Sequence, residues 1–178
     1  DEERADQARI RAQLKQEMNA EEWDSARGST LNAHFTSGEV ISAMWKMMDR
    51  LGFKGGRVLE PSAGAGSFFA LQPADSALRS DRVAVELDSI TGRILKHLYP
   101  QADVRVQGFQ ESPMSNNSFD LAISNVPFGS YRITAKDHKN ELIHDYFFLR
   151  ALDKVKPGGL VAFITSDGTM DKATERVR

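Results

Sequence analysis

The stretch Arg57–Ala70, RVLEPSAGAGSFFA, decides the fold. Val58 and Leu59 form a short apolar run that ends on a carboxylate, Glu60. Pro61, Ser62, Gly64 and Gly66 make a turn, and Phe68 with Phe69 opens a predicted helix. A strand, a glycine turn and a helix start bring backbone N–H groups to a nucleoside or phosphate. The glycines permit a tight turn and a close approach of ligand to main chain.

Spacing excludes two common nucleotide folds. The dinucleotide fingerprint places a third glycine where this chain has Phe69. No Lys-Ser/Thr pair follows the glycines, which rules out a P-loop. A second predicted strand, Val83 to Val85, runs into Glu86, about 20 residues beyond Gly66. An acid at that distance suits the hydroxyls of a ribose at the tip of the neighbouring strand. Either carboxylate alone reads as an ordinary solvated strand end. Glu60 and Glu86 flanking GAG together read as a nucleoside site.

EPSAGAG at 60–66, VELD at 85–88 and SNVPF at 124–128 together resemble class I S-adenosylmethionine-dependent methyltransferases. The resemblance runs from Phe35 to Thr165 and is nearest to the amino-methylating branch, which includes adenine-N6 DNA methyltransferases. It implies S-adenosylmethionine as cofactor, held by Phe35, Thr36, Glu60, Pro61, Ser62, Gly64, Gly66, Glu86, Leu87, Gly108, Phe109 and Asn125. It implies catalysis by the loop Asn125, Val126, Pro127 and Phe128. The family pattern in that loop is Asn/Asp/Ser-Pro-Pro-aromatic, and Val126 stands at the first proline. An exocyclic amine is a poor nucleophile because its lone pair is delocalised into the ring. Two acceptors, the Asn125 side-chain oxygen and by analogy the Val126 carbonyl, bind both N–H groups and aim the lone pair at the methyl. Phe128 stacks on a base flipped from a duplex. Transfer is a direct displacement that needs positioning and polar acceptors. Taken alone, NVPFG is also a good turn sequence.

Strands alternating with helices predict an α/β fold, a Rossmann-like doubly wound, mostly parallel sheet with ligands at the carboxyl ends of the strands. The expected organisation is a helical extension over 1–30 and a methyltransferase domain over 31–178. In the extension, Ile10, Leu14 and Met18 recur at helical spacing, with Trp23 beyond. Thr36 with Glu39 predicts a capping box, followed by an apolar stripe of Val40, Met44, Met47 and Leu51 and a stop at Gly52. The same Thr36 follows Phe35 in the aromatic-Thr segment that closes over the cofactor in the family. Further expectations are a helix over 88–98 and a third strand at Val104 and Val106. FDLAIS at 119–124 is the fourth strand and 141–154 a helix with Leu142, Tyr146, Leu149 and Leu152 inward. Pro157-Gly158-Gly159 should end that helical segment, and Leu160–Thr165 should be the fifth strand. Phe109 reads equally as an adenine-stacking ring or a core side chain. Residues 129–140 read as a substrate-side loop or a mobile surface loop.

The 178 residues suit one soluble domain, with 40% hydrophobic and 27% charged side chains. No run approaches membrane-spanning length, the N-terminus lacks a signal-peptide apolar region, and the expected location is cytoplasmic. With no cysteine and four scattered histidines, no metal is expected. The chain begins without Met and stops after the fifth strand, so it reads as a piece of a longer protein with a sheet truncated there. Its net charge of −2 fits DNA, carrying the flipped adenine, held mainly through regions outside these residues. Cytosine N4, RNA guanine N2 and a glutamine side chain are alternative amines. A non-catalytic methyltransferase-like module is the alternative outside enzymology.

Overall fold

The computed structural model describes residues 2–24, 36–166 and 169. Five strands form one parallel sheet: β1 Gly56–Glu60, β2 Ser80–Glu86, β3 Asp103–Val106, β4 Phe119–Asn125 and β5 Val155–Ile164. Their order is β3-β2-β1-β4-β5, so the chain reverses direction across the sheet between β1 and β4. That reversal opens a crevice beyond the carboxyl ends of β1 and β4. This is the Rossmann-like fold of class I methyltransferases, preceded by a helix α1 over Glu2–Glu17.

Both faces of the sheet are covered, as a parallel sheet requires. Side chains alternate along each strand. Val58, Ala84, Leu121 and Ile123 face one core with Ile41, Trp45 and Met48 of α2 (Gly38–Arg50), Phe68 and Phe69 of α3 (Ser67–Ala70), and Leu95 of α5 (Ser89–Leu98). Leu59, Val83, Val85 and Ala122 face the other with Phe109 and, from α6 (Ile143–Lys154), Tyr146, Phe147 and Ala151. The short α4 (Ala74–Ala77) leads from α3 toward β2.

Several expectations shift. The cap of α2 is Ser37, whose Oγ accepts from Val40 N at 3.4 Å, so Thr36 is released from capping. The buried stripe is Ile41, Trp45 and Met48, while Val40, Met47 and Leu51 are exposed. Trp45 Nε1 donates to Phe68 O at 2.9 Å, and that buried bond sets the helix rotation. In α6, Leu152 is exposed, and the inward face is Ile143, Tyr146, Phe147, Arg150 and Ala151. In α5, Ile94 and Leu98 are exposed and Leu95 is fully buried. In α1, Ile10 and Leu14 are exposed, so their stripe is not covered by the described residues.

The fifth strand begins at Val155, directly after α6. Phe119 pairs with Val155 and Leu121 with Leu160, so β5 advances five residues while β4 advances two. Pro157-Gly158-Gly159 therefore forms an irregularity inside β5, not a break before it. Among the described residues, no helix is long and apolar enough to cross a membrane.

Candidate functional site

The strand ends carry the groups expected there. Val58 and Glu60 lie on the same face of β1, so Glu60 points beneath α3 and is 1% exposed. The Phe68 N–H donates to its carboxylate, and Oε2 has no hydrogen-bond partner among the described residues. Burial, and then repulsion from Glu86, lifts the Glu60 carboxyl well above the ordinary carboxylate range.

Glu86 joins two loops. One oxygen accepts from Gly64 N at 2.7 Å and the other from Asp88 N at 2.8 Å. Burial raises its pKa, opposed by those same N–H groups. The Leu87 N–H also acts on this carboxylate, which has about four acceptor positions and so keeps capacity for a ligand hydroxyl. Asp88 also caps α5, its Oδ1 accepting from Thr91 N at 2.6 Å.

The two turn glycines have different causes. Gly64 has φ +54°, and a Cβ there would meet nothing within 4 Å, so its outer side is open. Gly66 has φ +83°, and a Cβ there would lie 2.5 Å from Tyr99 and 2.6 Å from Leu95. Gly66 is thus a packing glycine against α5. Tyr99 Oη also donates to Gly66 O at 3.0 Å. Sequence reading missed Tyr99, since a residue just before Pro100 signals only a helix end. The helix after the turn, α3, is four residues long, so the turn is held mainly by these side chains and not by a long helix. Ala63 N donates to Val85 O at 3.0 Å and ties the turn to β2.

At the end of β4, Asn125 Nδ2 donates to Thr36 Oγ1 at 3.1 Å. Ser124 Oγ donates to Ser62 O at 3.1 Å and links this strand to the glycine turn. Val126 is buried in the core, and its N–H donates to Ile164 O at 3.1 Å, carrying the β4–β5 ladder one residue further. A proline there could not make that bond. Pro127 and Phe128 follow, both half-buried.

Not every expected residue reaches the site. Phe109 is 2% exposed and packs on Phe147 at 5.1 Å and Tyr146 at 6.4 Å, with the Arg150 guanidinium 5.1 Å above its ring. Of its two readings, the structure selects the core. Pro61 is buried, Ser62 half-buried and Leu87 largely exposed beside Glu86. Gly108 is buried against the Gln110 side chain. Phe35 lies outside the described residues. A groove of about 400 Å³ between α2 and α4, lined by Trp45, Lys54 and Arg79 among others, sits at the opposite, amino end of the strands. The crevice at the carboxyl ends holds the converging polar groups.

No family model matches the chain. It is 35% identical over 143 residues to the Defense against restriction protein B of Escherichia phage P1, a match covering 77% of this chain and 6% of that protein. It is 27% identical over 151 residues to the rRNA N(6)-adenosine-methyltransferase metl-5 of Caenorhabditis elegans, covering 79% of this chain and 66% of that one. The chain thus spans a small part of the first relative and about two thirds of the second. A type I restriction-modification system methyltransferase subunit from Streptococcus thermophilus superposes with a TM-score of 0.64 at 14% identity, over 80% of this chain and 36% of that one.

Proposed function

We propose that this chain binds S-adenosylmethionine at the carboxyl ends of β1 and β2 and methylates an exocyclic amine, adenine N6 in DNA. The observation that carries the reading is the convergence of Glu60, Gly64 and Glu86 on one side of the crevice with Thr36-bound Asn125 on the other. The cofactor supplies an electrophilic sulfonium methyl. Glu86 accepts from the ribose hydroxyls, and the open side of Gly64 admits the cofactor against the main chain. Because the Asn125 amide nitrogen is engaged by Thr36, its oxygen is the atom presented to a substrate N–H. The Val126 carbonyl is the second acceptor. Phe128 stacks on the base, and Pro127 stiffens the loop between them. The amine nitrogen would gain the methyl as its bond to sulfur breaks, the sulfur leaving as a neutral thioether, and would release one proton to solvent.

Adenine is supported by the N(6)-adenosine-methyltransferase relative, and DNA by a relative that defends against restriction and by the fold's likeness to a restriction-modification methyltransferase subunit. Adenine N6 in RNA is the second reading, favoured by the longer share of the N(6)-adenosine relative that this chain spans. Calorimetry with S-adenosylmethionine and transfer of tritiated methyl to DNA, RNA and protein test the proposal. Saturable cofactor binding and label on N6-methyladenine in DNA are expected. Glu86→Ala should weaken cofactor binding about 10- to 100-fold, since a hydrogen bond to a charged group contributes about 1.5–3 kcal/mol. Unchanged affinity in that variant would remove Glu86 from the site.

A further inference from the structure

We infer that the hairpin over 131–142 is a DNA-strand clamp that holds phosphates beside the flipped base, an inference that rests on the methyl-transfer reading above. This segment follows Phe128 directly and is folded. Ile133 N donates to Glu141 O at 3.0 Å, Ile143 N donates to Tyr131 O at 3.1 Å, and Arg132 and Leu142 form an antiparallel bridge. His138 and Asn140 take left-handed backbone conformations, at φ 43° and 62°, and turn the chain back.

Its charges are sorted. Asp137 is turned toward α6, where Tyr146 Oη donates to it at 3.0 Å and the Arg150 guanidinium pairs with it. That pairing holds the Asp137 carboxyl below its ordinary range, although burial opposes it. His138 is fastened to Asp153 at 2.6 Å. These contacts fix the hairpin to α6 and withdraw one of its acids. Arg132, Lys136 and Lys139 are all exposed, with Tyr131 about half exposed and Glu141 on the returning strand. Arg132 Nη1 donates to Asn140 O at 2.6 Å, which holds the guanidinium along the hairpin. Among the described residues, Lys136 and Lys139 make no ion pair, whereas Lys54, Arg93, Arg105 and Lys156 each hold an acid.

The reach is suitable. Tyr131 stands three positions after Phe128, at most about 10 Å of chain away. That is about three nucleotide steps at 3.4 Å per charge along one strand. The hairpin therefore begins within reach of the phosphates flanking a base at Phe128, its exposed cations are the groups to meet them, and Tyr131 offers a stacking face to a neighbouring unpaired base. Such contacts confer affinity and register without sequence preference. They also locate a basic surface in a chain whose net charge is −2.

The test is fluorescence-anisotropy titration of this chain with a short single-stranded deoxyadenosine-containing oligonucleotide across a salt series. An RNA of the same sequence and polyglutamate are run beside it. Cofactor affinity and methyl transfer are measured on the same preparations. The wild-type salt slope should shrink by about 2 in Arg132→Ser/Lys136→Ser/Lys139→Ser, at about 0.7 per lost phosphate contact. The double variant Lys136→Ser/Lys139→Ser keeps the Arg132 bond to Asn140 and should lose about 1.4, which separates the effect from misfolding. Unchanged slope and affinity in both variants would overturn the clamp even if methyl transfer continued. Tighter binding of RNA or polyglutamate than of DNA would overturn its assignment to DNA. A reduced slope in a chain that transfers no methyl would uphold the clamp while the catalytic reading failed.

Discussion

Thr36 and Asn125, 89 residues apart in sequence, meet through a 3.1 Å hydrogen bond from the Asn125 amide to the Thr36 hydroxyl. The bond fixes the orientation of the Asn125 amide, because nitrogen donates and oxygen accepts. Thr36→Val keeps the shape and removes the acceptor. Loss of one such bond corresponds to about 0.5–1.5 kcal/mol, so the methyl-transfer kcat should fall about 2- to 10-fold with cofactor affinity nearly unchanged. Thr36→Ser should restore it. A fall in melting temperature with unchanged kcat would mean that the bond serves folding alone.

Asn125→Ala should leave S-adenosylmethionine binding nearly intact and lower transfer by about 10²–10³, the usual loss for one preorganised polar group at a reacting centre. Phe128→Ala should act on substrate capture, through loss of about 1–3 kcal/mol of stacking, with a smaller deficit at saturating substrate. Phe128→Tyr should retain much of the activity. If NVPFG is only a turn, both alanine variants will melt earlier and turn over normally when folded.

Glu60 makes the ligand-free protein sensitive to pH. Its folded-state pKa is raised by burial and by Glu86, so the folded chain holds the proton more tightly than the unfolded chain. The stability linked to that proton is fully present below the unfolded carboxylate pKa and is lost as pH rises through the raised folded value. Glu86 adds in the same direction. Asp103, Asp120 and Asp137, all lowered, act oppositely and at more acid pH. Melting temperature should therefore decline as pH rises from the ordinary carboxylate range through the raised Glu60 value, and Glu60→Gln should flatten that decline and stabilise the chain at the upper end. Parallel melting curves for wild type and Glu60→Gln would contradict it.

The glycines of the turn should respond unequally to alanine. Gly66→Ala drives a Cβ into Tyr99 and Leu95 at positive φ, combining overpacking of about 1–3 kcal/mol with about 1–2 kcal/mol of backbone strain. Gly64→Ala meets open space and carries only the strain term. Denaturant titration should rank Gly66→Ala clearly below Gly64→Ala, while calorimetry should show the Gly64 variant losing cofactor affinity. Equal stabilities would contradict the division of roles.

The placement of the candidate residues was legible because acids and glycines at strand ends have few structural reasons to occur together. Glu60, Glu86 and Asn125 end β1, β2 and β4, and Gly64 stands in the turn after β1, all at the carboxyl end of the sheet. What escaped reading was side-chain direction. Residues 40–51 offer two overlapping apolar stripes, and the choice of Ile41, Trp45 and Met48 depends on a bond from Trp45 to Phe68, 23 residues away. Phe109 went to the core because Tyr146 and Phe147 of α6 provide it with aromatic neighbours, a pairing invisible in its local sequence. Pro157-Gly158-Gly159 reads as a stop, yet the strand starts before it, since pairing of Val155 with Phe119 tolerates the irregularity that follows. Thr36 reads as a cap until Ser37 takes that role.

The carboxylate of Glu86, which holds Gly64 and Asp88 at once, changes the thermodynamics of ligand capture. Both loops lose their freedom when the chain folds, so a nucleoside arriving at them orders little more of the backbone. Binding to wild type should then show a modest heat-capacity change and little loop-ordering entropy, whereas Glu86→Ala should shift toward the larger ordering entropy of loops that settle only around the ligand. Its affinity loss will accordingly contain two parts, a missing acceptor and an unfastened pair of loops. The entropy of binding, measured across temperature, tells them apart.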